Sequence, residues 1–136
     1  GRVIGALHGG LRASAKNFPD SIPTLAALAC VLPQKSVFTD CAILRGKESD
    51  RVDGIAALAR AGGAAVHLDG DTVSIVPGKP GRFVFDSRGD HRLAMAAGTL
   101  AALARVSFTV STPDCVQKSF PGFWKELARV GVTPEP

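Results

Sequence analysis

Eight residues, Leu44 to Arg51, constrain this chain more than any other stretch. Five of them are charged, and three of those are cations. Val37 and Phe38 before the run read as part of a strand. Val52, Ile55, Ala56 and Ala59 after it have the three- and four-residue spacing of a helix with one buried face. The run therefore stands where a strand ends and a helix begins. Gly46 supplies the freedom that a turn there needs. Glu48 and Asp50 are expected in the first helical turn, where the helix dipole favours acids. Free backbone N–H groups at such a start also attract anions. A charge run of this kind is ordinarily a solvated helix entry. Two further stretches, Asp90-His91-Arg92 and Lys118-Ser119-Phe120-Pro121, point instead to a site for an anionic substrate that also needs a carboxylate.

The rest of the chain alternates strands and helices. Val3 to Leu7 is a short strand candidate, His8-Gly9-Gly10 a turn, and Leu11 to Ala15 a second strand. Asp20 or Ser21 is placed to cap a helix that ends at Pro33. That helix is apolar nearly all round, so Leu25, Leu28 and Leu32 require cover, sought in self-association or a partner. Lys35 to Asp40 is a strand, and Gly62-Gly63 stops the helix that follows the charged run. Ala64 to Leu68 and Thr72 to Val76 form a hairpin across Asp69-Gly70-Asp71. Pro77 to Gly81 reads as a linker. Beyond it come a strand from Arg82 to Asp86, a long helix from Asp90 and a strand from Ser107 to Ser111. A turn at Thr112-Pro113-Asp114 and a last helix from about Phe120 to Val130 complete the pattern. The expected fold class is α/β: one unit over residues 1–76, a linker over 77–81, and a second, truncated unit over 82–131.

Composition narrows the function classes. At 136 residues the chain can bury one real core, and its 46% hydrophobic content contains no run long enough to span a membrane. The first residues show no signal-peptide pattern, and a starting methionine is lacking, as in a processed chain or a fragment. Cys30, Cys41 and Cys115 are odd in number and form no metal-type pair, which suits structural thiols in the cytoplasm. The net charge of +4 is scattered, and the basic stretch Lys79-Pro80-Gly81-Arg82 has only Phe83 beside it. A nucleic-acid platform wants more aromatics there. Small phosphorylated or carboxylated ligands fit better than nucleic acid or a membrane.

The candidate site gathers at four helix starts. In layered α/β folds such ends share one edge of the sheet, where ligands bind. Singly, Asp20 is a cap, His91 a surface group and Lys118 nothing at all. Together, Lys47, Arg51, Arg92 and Lys118 can bracket two anionic groups, Arg through a fork and Lys as a point charge. Asp20 and Glu48 remain for proton transfer, tuned by those cations.

Leu44 to Arg51 with its core Lys47-Glu48-Ser49-Asp50-Arg51, then Asp90-His91-Arg92-Leu93-Ala94-Met95-Ala96, then Lys118-Ser119-Phe120-Pro121 resemble the C-terminal part of the 5-enolpyruvylshikimate-3-phosphate synthase family. Pro19-Asp20 ahead of Thr24-Leu25-Ala26 is similar to it too, and the order agrees over nearly the whole chain. Related UDP-N-acetylglucosamine enolpyruvyl transferases share the fold but lack the run at 47–51. The resemblance implies βαβαββ units in an incomplete inverse α/β barrel. It also implies transfer of the enolpyruvyl group of phosphoenolpyruvate to the 5-hydroxyl of shikimate 3-phosphate, without metal or organic cofactor.

Carried over by position, the resemblance implies that Asp20 takes the hydroxyl proton and Lys47 holds the phosphate ester. Glu48 serves the methylene carbon as proton donor and then acceptor. Arg51 and Arg92 grip phosphoenolpyruvate, Lys118 faces the leaving phosphate, and Asp90 and His91 support Arg92. Ile43 stands where the family usually has asparagine. The missing N-terminal domain, or a second chain, is expected to complete the cleft. A non-catalytic module derived from the synthase is the alternative.

Overall fold

The computed structural model describes residues 8–135. The strand candidate Val3 to Leu7 lies outside them. The elements are β1 (Arg12–Ser14), α1 (Ile22–Ala29), β2 (Ser36–Thr39), α2 (Arg51–Ala61), β3 (Ala65–Asp69), β4 (Thr72–Val76), β5 (Phe83–Phe85), α3 (His91–Ala104), β6 (Phe108–Val110) and α4 (Phe123–Arg129). Four strands form one sheet in the order β1-β2-β4-β3, and β5 and β6 form another. β1 runs parallel to β2, and β5 to β6. Parallel neighbours need a crossover, and α1 and α3 are those crossovers. β4 is antiparallel to both β2 and β3. Asp69 pairs with Thr72 in that hairpin, so Gly70-Asp71 is a two-residue turn, with Gly70 at φ +57°.

The helices meet in one core that also takes in Phe38, Val73 and Ile75 from the larger sheet and Phe83, Phe85 and Phe108 from the smaller. α1 buries Ile22, Ala26, Ala27 and Ala29 and packs along α3. α3 buries Leu93, Ala94, Ala96, Ala97, Leu100 and Ala101. Small alanines on both faces let the backbones approach. Leu32 is buried, Leu25 is half-buried against the core, and Leu28 is half-buried. Among the described residues, no helix is long and apolar enough to cross a membrane.

Several element starts differ from the sequence expectation. Neither Asp20 nor Ser21 caps α1 with its side chain, because a 3-10 turn, Pro19–Ser21, runs straight into the helix. Glu48 does not fall in the first turn of α2, which begins only at Arg51. Asp50 is its N-cap, accepting the N–H groups of Val52 and Asp53 at 3.1 and 3.2 Å. A 3-10 stretch, Cys41–Gly46, follows β2 and takes in the first three residues of the charged run. A second, Pro113–Lys118, extends the expected turn after β6, and α4 starts at Phe123 rather than near Phe120.

α2 and α3 cross closely at Gly54, where an added Cβ would lie 2.4 Å from Leu93 Cδ1. Leu93 is itself fully buried. Gly54→Ala is therefore expected to destabilise the chain by about 1–3 kcal/mol through overpacking, although alanine is the better helix former by about 1 kcal/mol. Urea unfolding measures this; a Gly54→Ala variant as stable as the parent would show that the crossing has room to relax.

Candidate active site

Arg51, the first residue of α2, is the centre of the site, and its side chain is only 1% exposed. Its guanidinium is surrounded by three carboxylates. Nε donates to Asp90 Oδ2 at 2.9 Å and Nη2 to Asp90 Oδ1 at 3.2 Å. Nη1 donates to Asp20 Oδ1 at 2.9 Å. Nη2 also donates to Glu48 Oε2 at 2.5 Å. Asp90 is fully buried as the N-cap of α3, where it accepts the Arg92 N–H at 2.9 Å. Ser49 Oγ donates to Asp90 Oδ2 at 2.7 Å. One carboxylate thus fixes the starts of α2 and α3 together.

Two further cations border the cluster. Lys118, the last residue of the 3-10 stretch after β6, brings Nζ to 3.2 Å from Glu48 Oε1. Arg92 Nη2 lies 3.9 Å from Asp20 Oδ2. Asp20 and Glu48 keep 57% and 38% of their side-chain surface exposed, so an incoming ligand can reach them. His91 is 5% exposed; its Nδ1 and Arg92 Nε are buried and without a hydrogen-bond partner among the described residues. Lys47 is half-buried ahead of α2, and Arg45 turns away to Asp50 and Asp53 at 2.7 and 3.3 Å. Ile43 stands 45% exposed.

The structure therefore brings Asp20, Glu48, Arg51, Asp90, Arg92 and Lys118 into one network, with His91 beside it and Lys47 outside its ion pairs. The sequence reading sets Asp90 to support Arg92. The Asp90 carboxylate does meet the Arg92 backbone, but its side-chain partners are Arg51 and Ser49. Sequence reasoning misses Ser49; its place two residues before Arg51 is the only signal.

Charge state follows from these contacts. Burial by itself would raise the Asp90 pKa, but hydrogen bonds from Arg51 and Ser49 and the Arg51 charge outweigh it, so the carboxyl titrates below its ordinary range. Glu48 is also held low, first by its own backbone N–H and then by Lys118, with Arg51 contributing charge. Burial, and then the Arg92 charge, push the His91 pKa down, so its imidazole is neutral at pH 7. Two of the three carboxylates, Asp20 and Glu48, face solvent, paired with cations that a competing anion can contact.

The model of the family described as EPSP synthase (3-phosphoshikimate 1-carboxyvinyltransferase) matches residues 8–127, a span that includes every residue of this network. The chain belongs to the EPSP synthase family. It is 40% identical over 131 residues to the 3-phosphoshikimate 1-carboxyvinyltransferase of Methanopyrus kandleri, covering 96% of this chain and 30% of that protein. It is 38% identical over 123 residues to that of Methanoculleus marisnigri, covering 90% of this chain and 29% of the relative. The chain thus spans about three tenths of the length of the curated relatives it matches. Among solved structures, an EPSP synthase from Acinetobacter baumannii superposes with TM-score 0.75 at 26% identity, over 90% of this chain and 29% of the other. A second structure of an EPSP synthase from that organism gives 0.73 at 30% identity, over 82% of this chain and 27% of the other. The fold is α/β of the enolpyruvyl transferase type.

The depressed Asp90 pKa makes a prediction about acid. Its stabilisation is complete above the ordinary Asp value of about 3.9 and is lost as pH falls from there through the folded-state value. Asp90→Asn should be less stable than the parent at pH 7, and its stability should fall less steeply below about pH 4. Urea midpoints across pH check this; parallel acid profiles for the two chains would show that Asp90 carries no such linkage.

Proposed function

We propose that this chain carries part of the site of an enzyme that transfers the enolpyruvyl group of phosphoenolpyruvate to the 5-hydroxyl of shikimate 3-phosphate, releasing phosphate. The observation that carries the reading is the network around Arg51, in a chain of the EPSP synthase family. Asp20 takes the proton of the attacking hydroxyl, and the oxygen adds to C2 of phosphoenolpyruvate. A proton reaches the methylene carbon from Glu48. Elimination then returns a proton to Glu48 while the C–O bond to phosphate breaks beside Lys118. Arg51 and Arg92 hold the carboxylate and phosphate of phosphoenolpyruvate, with Asp90 and His91 fixing them. Lys47 holds the phosphate ester of the acceptor. A carboxylate beside the oxocarbenium-like centre stabilises it electrostatically.

The geometry supports a specific proton step. Without substrate, Glu48 is held ionised by its own backbone N–H, Lys118 and Arg51. A proton donor must first gain a proton. When a substrate anion occupies Lys118, Glu48 loses that partner and gains an anionic neighbour, and both changes raise its pKa.

Half a cleft excludes little water, and positioning accounts for about 7–11 kcal/mol of such a barrier. The other wall is assigned to the N-terminal domain of the whole protein or to a second chain. Phosphate release from both substrates by the isolated chain is expected to fall at least about 10⁵-fold below that of a complete synthase. Adding a polypeptide that supplies the part of a relative not spanned here should restore release, and Glu48→Gln should lower the restored rate by about 10²–10⁴-fold. Full-rate turnover by the isolated chain would refute the half-site reading. A restored rate indifferent to Glu48→Gln would refute the assigned proton step.

A further inference from the structure

Ser87 lies outside the charged network, in the turn between β5 and α3, and is fully buried. It organises the approach to α3 from its own side. Its carbonyl accepts the Asp90 N–H at 2.9 Å, and its hydroxyl oxygen accepts the Gly89 N–H at 3.3 Å. The same hydroxyl reaches across to the segment after β6. It donates to the Ser111 carbonyl at 2.8 Å and lies 2.8 Å from Thr112 Oγ1. A hydroxyl has one hydrogen; Ser87 gives its own to Ser111, so Thr112 is the donor in the second contact. Ser111 answers with its side chain, accepting the Ser87 N–H at 2.9 Å and donating to Asp86 Oδ1 at 2.6 Å.

These bonds pin two unusual bends. Arg88 and Gly89 have φ +57° and +70°, and Thr112 has φ +42°. β-branched residues avoid that region, so surrounding contacts must hold Thr112 there. Asp90 and Arg92 follow the first bend. Thr112 opens the 3-10 stretch that ends in Lys118, and Trp124 Nε1 steadies its start by donating to the Pro113 carbonyl at 2.8 Å.

We infer that Ser87 is a positioning residue for the transferase site: its hydroxyl ties the turn that delivers Asp90 and Arg92 to the turn that delivers Lys118, and so holds Lys118 against Glu48. The inference rests on the reading of the site given above. Ser87→Ala leaves the Thr112 hydroxyl and the Ser111 carbonyl without their partner. Thr112 is then free to leave its left-handed conformation, and Lys118 moves with the 3-10 stretch.

The test is the carboxyl-carbon NMR titration of Glu48 in the full 136-residue chain, in the parent and in Ser87→Ala, Ser87→Thr and Lys118→Ala. The expected result is a Glu48 midpoint raised in Ser87→Ala by most of the displacement that Lys118→Ala produces, and returned to the parent value in Ser87→Thr, which keeps the hydroxyl. A folded Ser87→Ala chain with the parent midpoint, beside a displaced Lys118→Ala, overturns the inference. If Ser87→Ala does not fold, Thr112→Val removes the Ser87–Thr112 contact while the bond to the Ser111 carbonyl stays; a Glu48 midpoint raised toward that of Lys118→Ala is then expected, and the parent midpoint overturns the inference. The titration needs no substrate, so a chain without transferase activity still decides the question either way.

Discussion

The ion pair between Arg51 and Asp90 is the constraint on which the site depends. Both side chains are buried, at 1% and 0% exposure, and each would cost several kcal/mol to desolvate alone. Excellent geometry and further hydrogen bonds offset that cost. Asp90 receives two bonds from Arg51, one from Ser49 and one from the Arg92 backbone. Arg51 also donates from Nη1 to Asp20 and from Nη2 to Glu48. Because Arg51 starts α2 and Asp90 caps α3, pairing them sets the distance between two helix N-termini that follow different strands. The turn carrying Asp20 and the stretch ending in Lys118 then close around the same cluster.

Burial divides the labour within the network. The inner pair is shielded from solvent, and salt screens it little. Asp20, Glu48, Arg92 and Lys118 are partly solvated, and their mutual attractions are correspondingly weak. A rigid centre with an exchangeable rim suits a site that must trade internal ion pairs for anionic substrates without losing its shape. His91 and Arg92 add buried nitrogens without protein partners among the described residues on the same helix start, where free N–H groups and the helix dipole already favour an anion.

Much of this is legible in the sequence because it rests on local rules. Apolar spacing from Val52 to Ala59 marks the body of α2, Asp69-Gly70-Asp71 marks the hairpin, and Gly62-Gly63 stops the helix before it. The motif residues are legible as a group because chemistry needs cations and carboxylates in one place. Their partners are not. Asp20 looks like a cap because Asp favours helix starts, yet the 3-10 turn leaves its carboxylate free to meet a residue 31 positions away. Only its place two residues before Arg51 marks Ser49, and nothing local marks Ser87; their bonds span 41 and 24–25 residues. The 3-10 stretches escape a sequence reading because they carry no periodicity long enough to read.

The most direct test of this account is a double-mutant cycle for folding stability with Arg51→Met, Asp90→Asn and the pair. Arg51→Met leaves buried Asp90 without its counter-charge, and Asp90→Asn leaves Arg51 with only the partly solvated Asp20 and Glu48, so each should be destabilising, while the double change removes both charges. A coupling of about 2–3 kcal/mol between the two positions is expected. Additive effects would contradict it, and would mean that the two helix starts are held together by something other than this ion pair.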